Sequence, residues 1–156
     1  MSEYIRALLL HSQETREAAL ILALKEQLIK AERVLTCQQA AARLAAANPP
    51  HLVFTDTELL DGNWSDVLDL ADRASQPINV IVVSPIADIP LYIDVMERQA
   101  FDFITHSFTA PELTHILRCA VENVVRRRKE RDRLKATKLG CVARPINGRK
   151  EDLIQL

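Results

Sequence analysis

Apolar runs in this chain are followed by residues whose side chains could do chemistry. Asp56 follows the run at 52–55, Ser84 follows the run at 78–83, His106 follows 101–105 and His11 follows 7–10. A carboxylate can hold a hard divalent cation, a hydroxyl can donate a hydrogen bond, and an imidazole can change charge near neutral pH. These residues predict one polar site, provided that the runs end at the same edge of a sheet.

The apolar runs have the length of strands, and the segments between them have helical patterns. Several runs are unbroken rather than alternating, which is typical of strands buried on both faces of a parallel sheet. Pro90 and Pro111 suit the first turn of a helix, and the prolines at 49–50 prevent another helix from continuing. The predicted strands are 7–10, 34–37, 52–55, 78–83 and 101–105; the predicted helices are 14–29, 38–47, 65–74, 90–99 and one that begins at 111.

This order of elements predicts an α/β fold of five βα units. We expect a doubly wound, five-stranded parallel sheet with helices on both faces, and an extended C-terminal helix. Such sheets gather functional groups at the carboxyl ends of their strands, where the strand order reverses. A flavodoxin-like enzyme or a nucleotide-binding domain is the alternative class. With only three glycines and no glycine-rich loop after the first strand, a phosphate-cradling loop is not indicated.

Composition limits the location and the partners. The formal net charge of -1 offers no overall attraction to nucleic acid or to an anionic membrane. The three cysteines are far apart and lack zinc-ligand spacing, which indicates reduced thiols in a cytosol. The polar start of the chain and the absence of a long apolar run predict neither a signal peptide nor a membrane span. We therefore expect a cytoplasmic protein without a bound metal of the zinc type.

The third, fourth and fifth runs carry a family resemblance. Residues 52–56, Leu-Val-Phe-Thr-Asp, are similar to the third strand of bacterial response-regulator receiver domains, the CheY-like family, and Leu-Asp-Gly at 60–62 follows. Residues 80–84 resemble the fourth strand with its terminal hydroxyl, and Ala-Phe-Asp-Phe-Ile-Thr-His-Ser-Phe at 100–108 resembles the fifth strand and its Lys-Pro-Phe ending. The resemblance covers roughly residues 5–127 and implies the CheY-like fold and a role in phosphorelay signalling rather than an enzyme activity.

The resemblance also implies roles for individual residues. Asp56 matches the phosphoacceptor, while Ser84 and Phe103 match the two switch residues. An aspartate is a poor nucleophile toward a phosphoryl group unless a divalent cation neutralises both anions. The acidic pair that helps to bind this cation in the family is replaced here by His11-Ser12, or by Ser12-Gln13 if the alignment shifts by one residue.

The chain departs from the family again after the fifth strand. His106 stands in place of the family's lysine and Ser107 in place of its proline. Neutral oxygen and imidazole are weak ligands for magnesium, so Asp56 with Glu58 would form a weak metal site or none. The resemblance therefore points to a degenerate member that needs no cofactor, with magnesium doubtful.

Structural alternatives remain open for each of these residues. Asp56 could be an acceptor or an inherited aspartate that only bonds locally, and Ser84 could cap a helix or satisfy backbone groups. Phe103 could be plain core. His106 could pair with Asp56 or lie free at the surface, and His11 could be a structural residue at the end of a strand.

A basic segment follows the predicted receiver-like domain at 1–128. Residues 129–156 are predicted to form a basic helical extension that Gly140 ends, followed by a tail too short to be an effector domain. Arg127 and Arg131 interrupt the heptad positions, so a stable coiled coil is not indicated. Without aromatic residues or a helix-turn-helix partner, nucleic acid is not an expected partner either.

The expected function is that of a stand-alone, degenerate receiver that acts by contact with a histidine kinase or another signalling protein. The alternative is a conventional receiver that a histidine kinase phosphorylates on Asp56. We also expect a homodimer through the fourth and fifth helices, because apolar residues cover a wide arc of the helix that begins at 111. Part of that arc is predicted to face the partner. The residues of the arc are Ile116, Leu117, Ala120, Val121, Val124 and Val125.

Overall fold

A five-stranded parallel sheet forms the centre of the protein. The computed structural model describes residues 4–11 and 18–143. The strands lie in the order β2-β1-β3-β4-β5, so the strand order reverses at β1, between β2 on one side and β3 on the other. Every neighbouring pair is parallel. The strands are β1 (Arg6–Leu10), β2 (Lys30–Val34), β3 (Leu52–Asp56), β4 (Asn79–Ser84) and β5 (Asp102–Thr105).

Five helices connect and cover these strands, which confirms the predicted fold class. Polar side chains cap several helix beginnings: Asp88 accepts from the backbone N–H of Leu91, and Thr36 from that of Gln39. Such caps satisfy N–H groups that have no partner within the helix. The helices are α1 (Ala18–Glu26), α2 (Cys37–Leu44), α3 (Trp64–Asp72), α4 (Ile89–Glu97) and α5 (Ala110–Ala143).

The strands bury side chains on both faces of the sheet. Successive residues of β1 point to opposite faces, so Leu8 and Leu10 belong to one core and Ala7 and Leu9 to the other. The first core lies under α2, α3 and α4, and the second lies under α1 and α5. This double burial explains why the strand sequences are unbroken apolar runs.

The second strand lies earlier than the sequence predicted. The apolar run at 34–37 indicated a strand there, but β2 is Lys30–Val34, and Thr36 is already the N-cap of α2. β2 is an edge strand, and four of its five residues are exposed. Charged side chains on an edge strand protect it from pairing with other chains, and they also hide it from a search for apolar runs.

The last helix continues beyond its predicted end. Gly140 was the expected stop, yet α5 extends to Ala143. A glycine inside a helix costs only about 1 kcal/mol relative to alanine, so it does not have to end the helix.

The chain divides into two compact units, Met1–Val125 and Arg126–Leu156. Within the described ranges, no helix is both long enough and apolar enough to span a membrane.

Candidate functional site

Four of the predicted site residues lie at one edge of the sheet. The register pairs Leu10 with Thr55, Asp56 with Val83, and Ser84 with Thr105. His11 and His106 are the residues after Leu10 and Thr105, so each follows a strand that ends beside its neighbour. The carboxyl ends of β1, β3, β4 and β5 therefore bring His11, Asp56, Ser84 and His106 to the same edge.

Asp56 is the last residue of β3 and is half-buried. The hydroxyl of Thr55 donates to the backbone carbonyl of Asp56 at 3.0 Å. Glu58 is exposed and belongs to a short antiparallel hairpin, Glu58–Leu59 with Gly62–Asn63, that the sequence did not predict. Within residues 4–11 and 18–143, no group of three or more His, Cys, Asp or Glu side chains is arranged to hold a metal ion. Ser12 lies outside the described residues.

The hydroxyl of Ser84 is engaged with the loop that follows β4. Its Oγ donates to the carbonyl of Ile86 at 2.7 Å and accepts from the backbone N–H of Ile86 at 3.3 Å. Ser84 is only 1% exposed. The side chain thus has the local backbone contacts that were one alternative for it, and these contacts tie the end of β4 to Ile86.

The two histidines at this edge differ in exposure. His11 is buried, with 3% of its surface accessible, whereas the side chain of His106 is exposed. The backbone N–H of His106 donates to the carbonyl of Ser84 at 3.3 Å, which extends the pairing of β4 and β5 by one residue. An imidazole thus follows two of the four strands that bring site residues to this edge.

Phe103 connects β5 to helix α4. Its ring is buried and packs edge to face against Tyr92, with ring centroids 5.7 Å apart and an interplanar angle of 86°. This geometry is the favourable arrangement for an aromatic pair. Tyr92 was not among the predicted site residues, because nothing in the local sequence indicates which aromatic rings meet across two elements.

Comparisons with known proteins agree with this fold. No family model matches the sequence. The nitrogen assimilation regulatory protein NtrX of Azorhizobium caulinodans is 33% identical over 103 residues, which cover 62% of this chain and 22% of that protein. The receiver domain of a LuxO repressor protein from Vibrio parahaemolyticus has a TM-score of 0.64 at 22% identity, over 85% of this chain and 98% of that one. This chain has the fold of a response-regulator receiver domain.

Another solved structure supports the same fold. NtrX from Brucella abortus has a TM-score of 0.69 at 20% identity, over 83% of this chain and 29% of that one. The matched region of the curated relative is a small part of its length, since this chain spans about a fifth of it. The similarity therefore concerns the receiver domain and not the activities of the whole relatives.

The loop after Asp56 is hydrogen-bonded to helix α2. The carboxylate of Asp61 accepts hydrogen bonds from the backbone N–H groups of Cys37 at 2.6 Å and Gln38 at 3.0 Å. A Cβ on Gly62 would lie 2.6 Å from Asp66 Oδ2 and 2.9 Å from the Cys37 sulfur, so glycine permits this close approach. Sequence reasoning identified Asp-Gly only as part of the loop, since the partner segment is 24 residues away.

Four exposed apolar side chains lie on α4 and the loop before it. Ile89 is 69% exposed and Ile93 is 49% exposed, and Ile86 and Tyr92 are exposed as well. The expectation that part of the apolar arc of α5 faces a partner stays a prediction, because Ile116, Val121 and Val125 are only partly buried. Leu117, Ala120 and Val124 are buried, and the remaining members of the arc pack against the core beneath α1 and α5. We call Ile86, Ile89, Tyr92 and Ile93 the α4 surface.

Proposed function

We propose that this chain is a receiver module of two-component signalling that acts in the cytoplasm through protein contact rather than through phosphoryl transfer. The supporting observation is the set of residues at the edge where β1, β3, β4 and β5 end. We call this edge the acceptor edge. Asp56 and Ser84 are present there, whereas His11 and His106 follow the strands where a working receiver resembling this one has a carboxylate pair and a lysine. The module keeps the acceptor aspartate but lacks most of the groups that make it reactive.

The histidines are poor substitutes for the missing groups. Magnesium prefers hard oxygen ligands, and a neutral imidazole is a weak ligand for it. His11 is also buried, so ionising its ring would carry a desolvation cost. His106 is exposed and can carry a positive charge only when it is protonated, unlike a lysine. Attack by Asp56 on a phosphoryl group would therefore lack both the metal and the fixed cation that it needs.

The α4 surface is the proposed output of the module. Two direct contacts connect this surface to the acceptor edge. Ser84 is hydrogen-bonded to Ile86, and Phe103 on β5 packs against Tyr92. A partner that binds the α4 surface would therefore touch Ile86, which is hydrogen-bonded to the end of β4, and Tyr92, which packs against β5. The partner is a histidine kinase, another signalling protein or a second copy of this chain.

A conventional receiver is the second candidate function. The observation in its favour is that Asp56 ends β3 and is only half-buried, so a small phosphodonor could reach its carboxylate. In that case a histidine kinase would transfer a phosphoryl group to Asp56, and the role of the α4 surface would depend on phosphorylation.

Incubation with acetyl phosphate and magnesium, followed by intact-mass measurement, separates the two candidates. We expect no phosphoryl adduct on the wild-type chain. A double substitution, Ser12→Asp with His106→Lys, restores an acid and the lysine and is expected to give an adduct. That adduct should disappear when Asp56→Asn is added. An adduct on the wild-type chain that is lost in Asp56→Asn would reject the proposal in favour of the conventional receiver.

A further inference from the structure

Charge in this chain is segregated between its two compact units. Residues 1–125 contain nine basic and seventeen acidic side chains, a net charge of -8. Residues 126–138 contain eight basic and two acidic side chains, a net charge of +6. The whole-chain value of -1 hides this contrast, so it does not describe how either unit interacts with a charged partner.

The basic residues belong to a helical segment with almost no apolar surface. From 126 to 137 every side chain is exposed except that of Arg128, which is partly so, and Leu134 is the only large apolar residue. An amphipathic helix that inserts into a membrane surface needs an apolar face, and a coiled coil needs an apolar seam. This segment has neither, so its interaction surface is electrostatic.

One row of this segment concentrates positive charge. Arg127, Arg131 and Lys135 are spaced four residues apart, so they lie along the same face of the helix. The acidic residues flank this face, and one of them, Glu130, accepts a hydrogen bond from Arg133 Nε at 3.1 Å. Part of the acidic charge is thus compensated within the helix. We call Arg127, Arg131 and Lys135 the basic row.

We propose that the basic row, with the neighbouring basic residues of α5, binds duplex nucleic acid through its phosphates and without preference for sequence. Duplex DNA carries about one negative charge per 1.7 Å of its axis, and cationic side chains that contact it release condensed counterions. Residues 126–138 of a helix extend over about 20 Å, so several side chains of one face can contact phosphates together. The absence of aromatic residues and of a recognition motif, which made nucleic acid an unexpected partner from the sequence, argues against contacts to bases but not against contacts to phosphates, which need only positive charge.

Two other anionic partners fit the observations less well. The acidic unit of a second copy offers charge complementarity, but exposed ion pairs between proteins are weak and are screened at physiological salt. An anionic lipid surface also attracts Lys and Arg, but binding of this helix would lack the apolar contribution that strengthens peripheral helices. Nucleic acid has the highest density of fixed negative charge, which is why we favour it over these two.

Fluorescence polarisation with labelled duplex DNA tests the proposal on the full chain. We expect binding at about 0.05 M salt that weakens steeply toward 0.2 M, with equal affinity for two unrelated sequences. Neutralising the basic row by Arg127→Gln, Arg131→Gln and Lys135→Gln is expected to weaken binding more than tenfold. It should also reduce the slope of log K against log salt by about 3.

A matched variant controls for net charge. Lys25→Gln, Arg73→Gln and Arg118→Gln remove the same charge from exposed positions of the other unit, and binding is expected to change less than twofold. Circular dichroism of both variants confirms that they retain helix. Equal loss of binding in the two triple variants, or no binding to DNA at 0.05 M salt, would overturn the proposal.

Two further measurements distinguish the other partners. Flotation with vesicles of anionic lipid, compared at equal phosphate concentration, would overturn the proposal if the chain binds them more tightly than duplex DNA. Sedimentation would also overturn the proposal if it showed a dimer that salt weakens, that the basic-row variant no longer forms, and that added DNA does not dissociate. The proposal is supported if the chain binds duplex DNA in preference to vesicles and to a second copy, and if the basic-row variant loses this binding.

Discussion

Asp61 accepts a hydrogen bond from the backbone N–H of Cys37 at 2.6 Å, and this contact joins the loop after Asp56 to the first turn of α2. The same carboxylate also acts on the Cys37 thiol. Partial burial, followed by the negative charges of Asp61 and Asp66, raises the pKa of Cys37 to about 11. The first turn of a helix ordinarily favours a thiolate, but here the two carboxylates and the burial outweigh it.

We therefore expect slow alkylation of Cys37 at pH 8. Iodoacetamide reacts with the thiolate, whose fraction at pH 8 is about a thousandth for a group with a pKa of about 11. The rate should rise steadily up to about pH 11. Asp61→Asn removes one negative charge, so the pKa of Cys37 should fall and alkylation at pH 8 should accelerate severalfold. Mass spectrometry in a Cys119→Ser, Cys141→Ser background measures this.

A matched substitution controls for the change in overall charge. Asp72 is exposed on the same helix as Asp66 but is not among the groups that shift the pKa of Cys37. Asp72→Asn should leave the alkylation rate of Cys37 unchanged. If Asp61→Asn and Asp72→Asn accelerate the reaction equally, the local effect of Asp61 on the thiol is disproved.

The sequence predicted the sheet because burial on both faces leaves a strong signal. β1, β3 and β4 are apolar throughout most of their length, and the observed strands differ from the predicted ones by one residue at one or both ends. β2 was misplaced because its residues are charged and exposed at the sheet edge. At β2 the apolar signal is lost because four of its five residues are exposed to solvent.

The candidate site was predictable in outline but not in its contacts. The rule that parallel strands end at one edge is sufficient to assemble His11, Asp56, Ser84 and His106. The contacts of Asp61 with Cys37 and of Phe103 with Tyr92 depend on distances between separate elements, which no local pattern encodes. The sequence also did not show which part of the α5 arc faces the core, where Leu117, Ala120 and Val124 are buried.

Asn79 should be important for stability. It is buried at the start of β4, and its Nδ2 donates to the carbonyl of Ala120 at 2.9 Å and to Asn123 Oδ1 at 3.0 Å. Asn79→Ala removes both bonds and leaves a buried carbonyl without this donor. We expect the free energy of unfolding in urea to fall by about 2 kcal/mol. Asn123→Ala removes only one of the two bonds, and a loss as large as that of Asn79→Ala would contradict this assignment.

Asp102 should make stability depend on pH. Burial is the main cause that raises the pKa of this carboxyl in the folded protein. Because the folded pKa is higher than the unfolded one, ionisation destabilises the folded state, and stability is lost as pH rises through the folded pKa. Asp102→Asn should therefore stabilise the protein at pH 7, by less than about 1 kcal/mol because the group is only half-buried, and should have no such effect near pH 3.

Urea unfolding at several pH values between 3 and 8 measures this difference. The amide of Asp102→Asn can still accept the hydrogen bond that the backbone N–H of Phe103 donates to Asp102 at 2.7 Å. Asp94→Asn, at an exposed position of α4, removes the same charge and controls for net charge. A stabilisation by Asp102→Asn that is the same at every pH would show that ionisation of Asp102 is not its cause.

Magnesium should bind weakly at the acceptor edge. Asp56 and Glu58 are the carboxylates that β3 and the hairpin supply there, and two carboxylates without the acidic pair leave most of the coordination to water. Titration calorimetry is expected to detect no saturable binding below about 1 mM magnesium. Saturable binding in this range that disappears in Asp56→Asn would contradict the prediction and would restore the conventional receiver as a candidate.

We expect the chain to form a homodimer through the α4 surface without phosphorylation. Ile86, Ile89, Tyr92 and Ile93 are exposed apolar side chains on one loop and one helix, and burying them against a second copy would remove this surface from water. Light scattering at micromolar concentration should give the mass of a dimer at both low and high salt, because salt screens interactions between charges and does not weaken apolar contacts.

Substitutions on α4 decide whether this surface is responsible. Ile89→Lys with Ile93→Lys would place two like charges at the interface of each copy. The dissociation constant of the dimer should therefore rise at least tenfold. The matched control is Leu22→Lys on α1, which is similarly exposed and lies on the opposite side of the sheet. A dimer that survives the α4 double substitution but is lost in Leu22→Lys would move the interface to α1. A monomer at all salt concentrations would leave a different protein as the partner of the α4 surface.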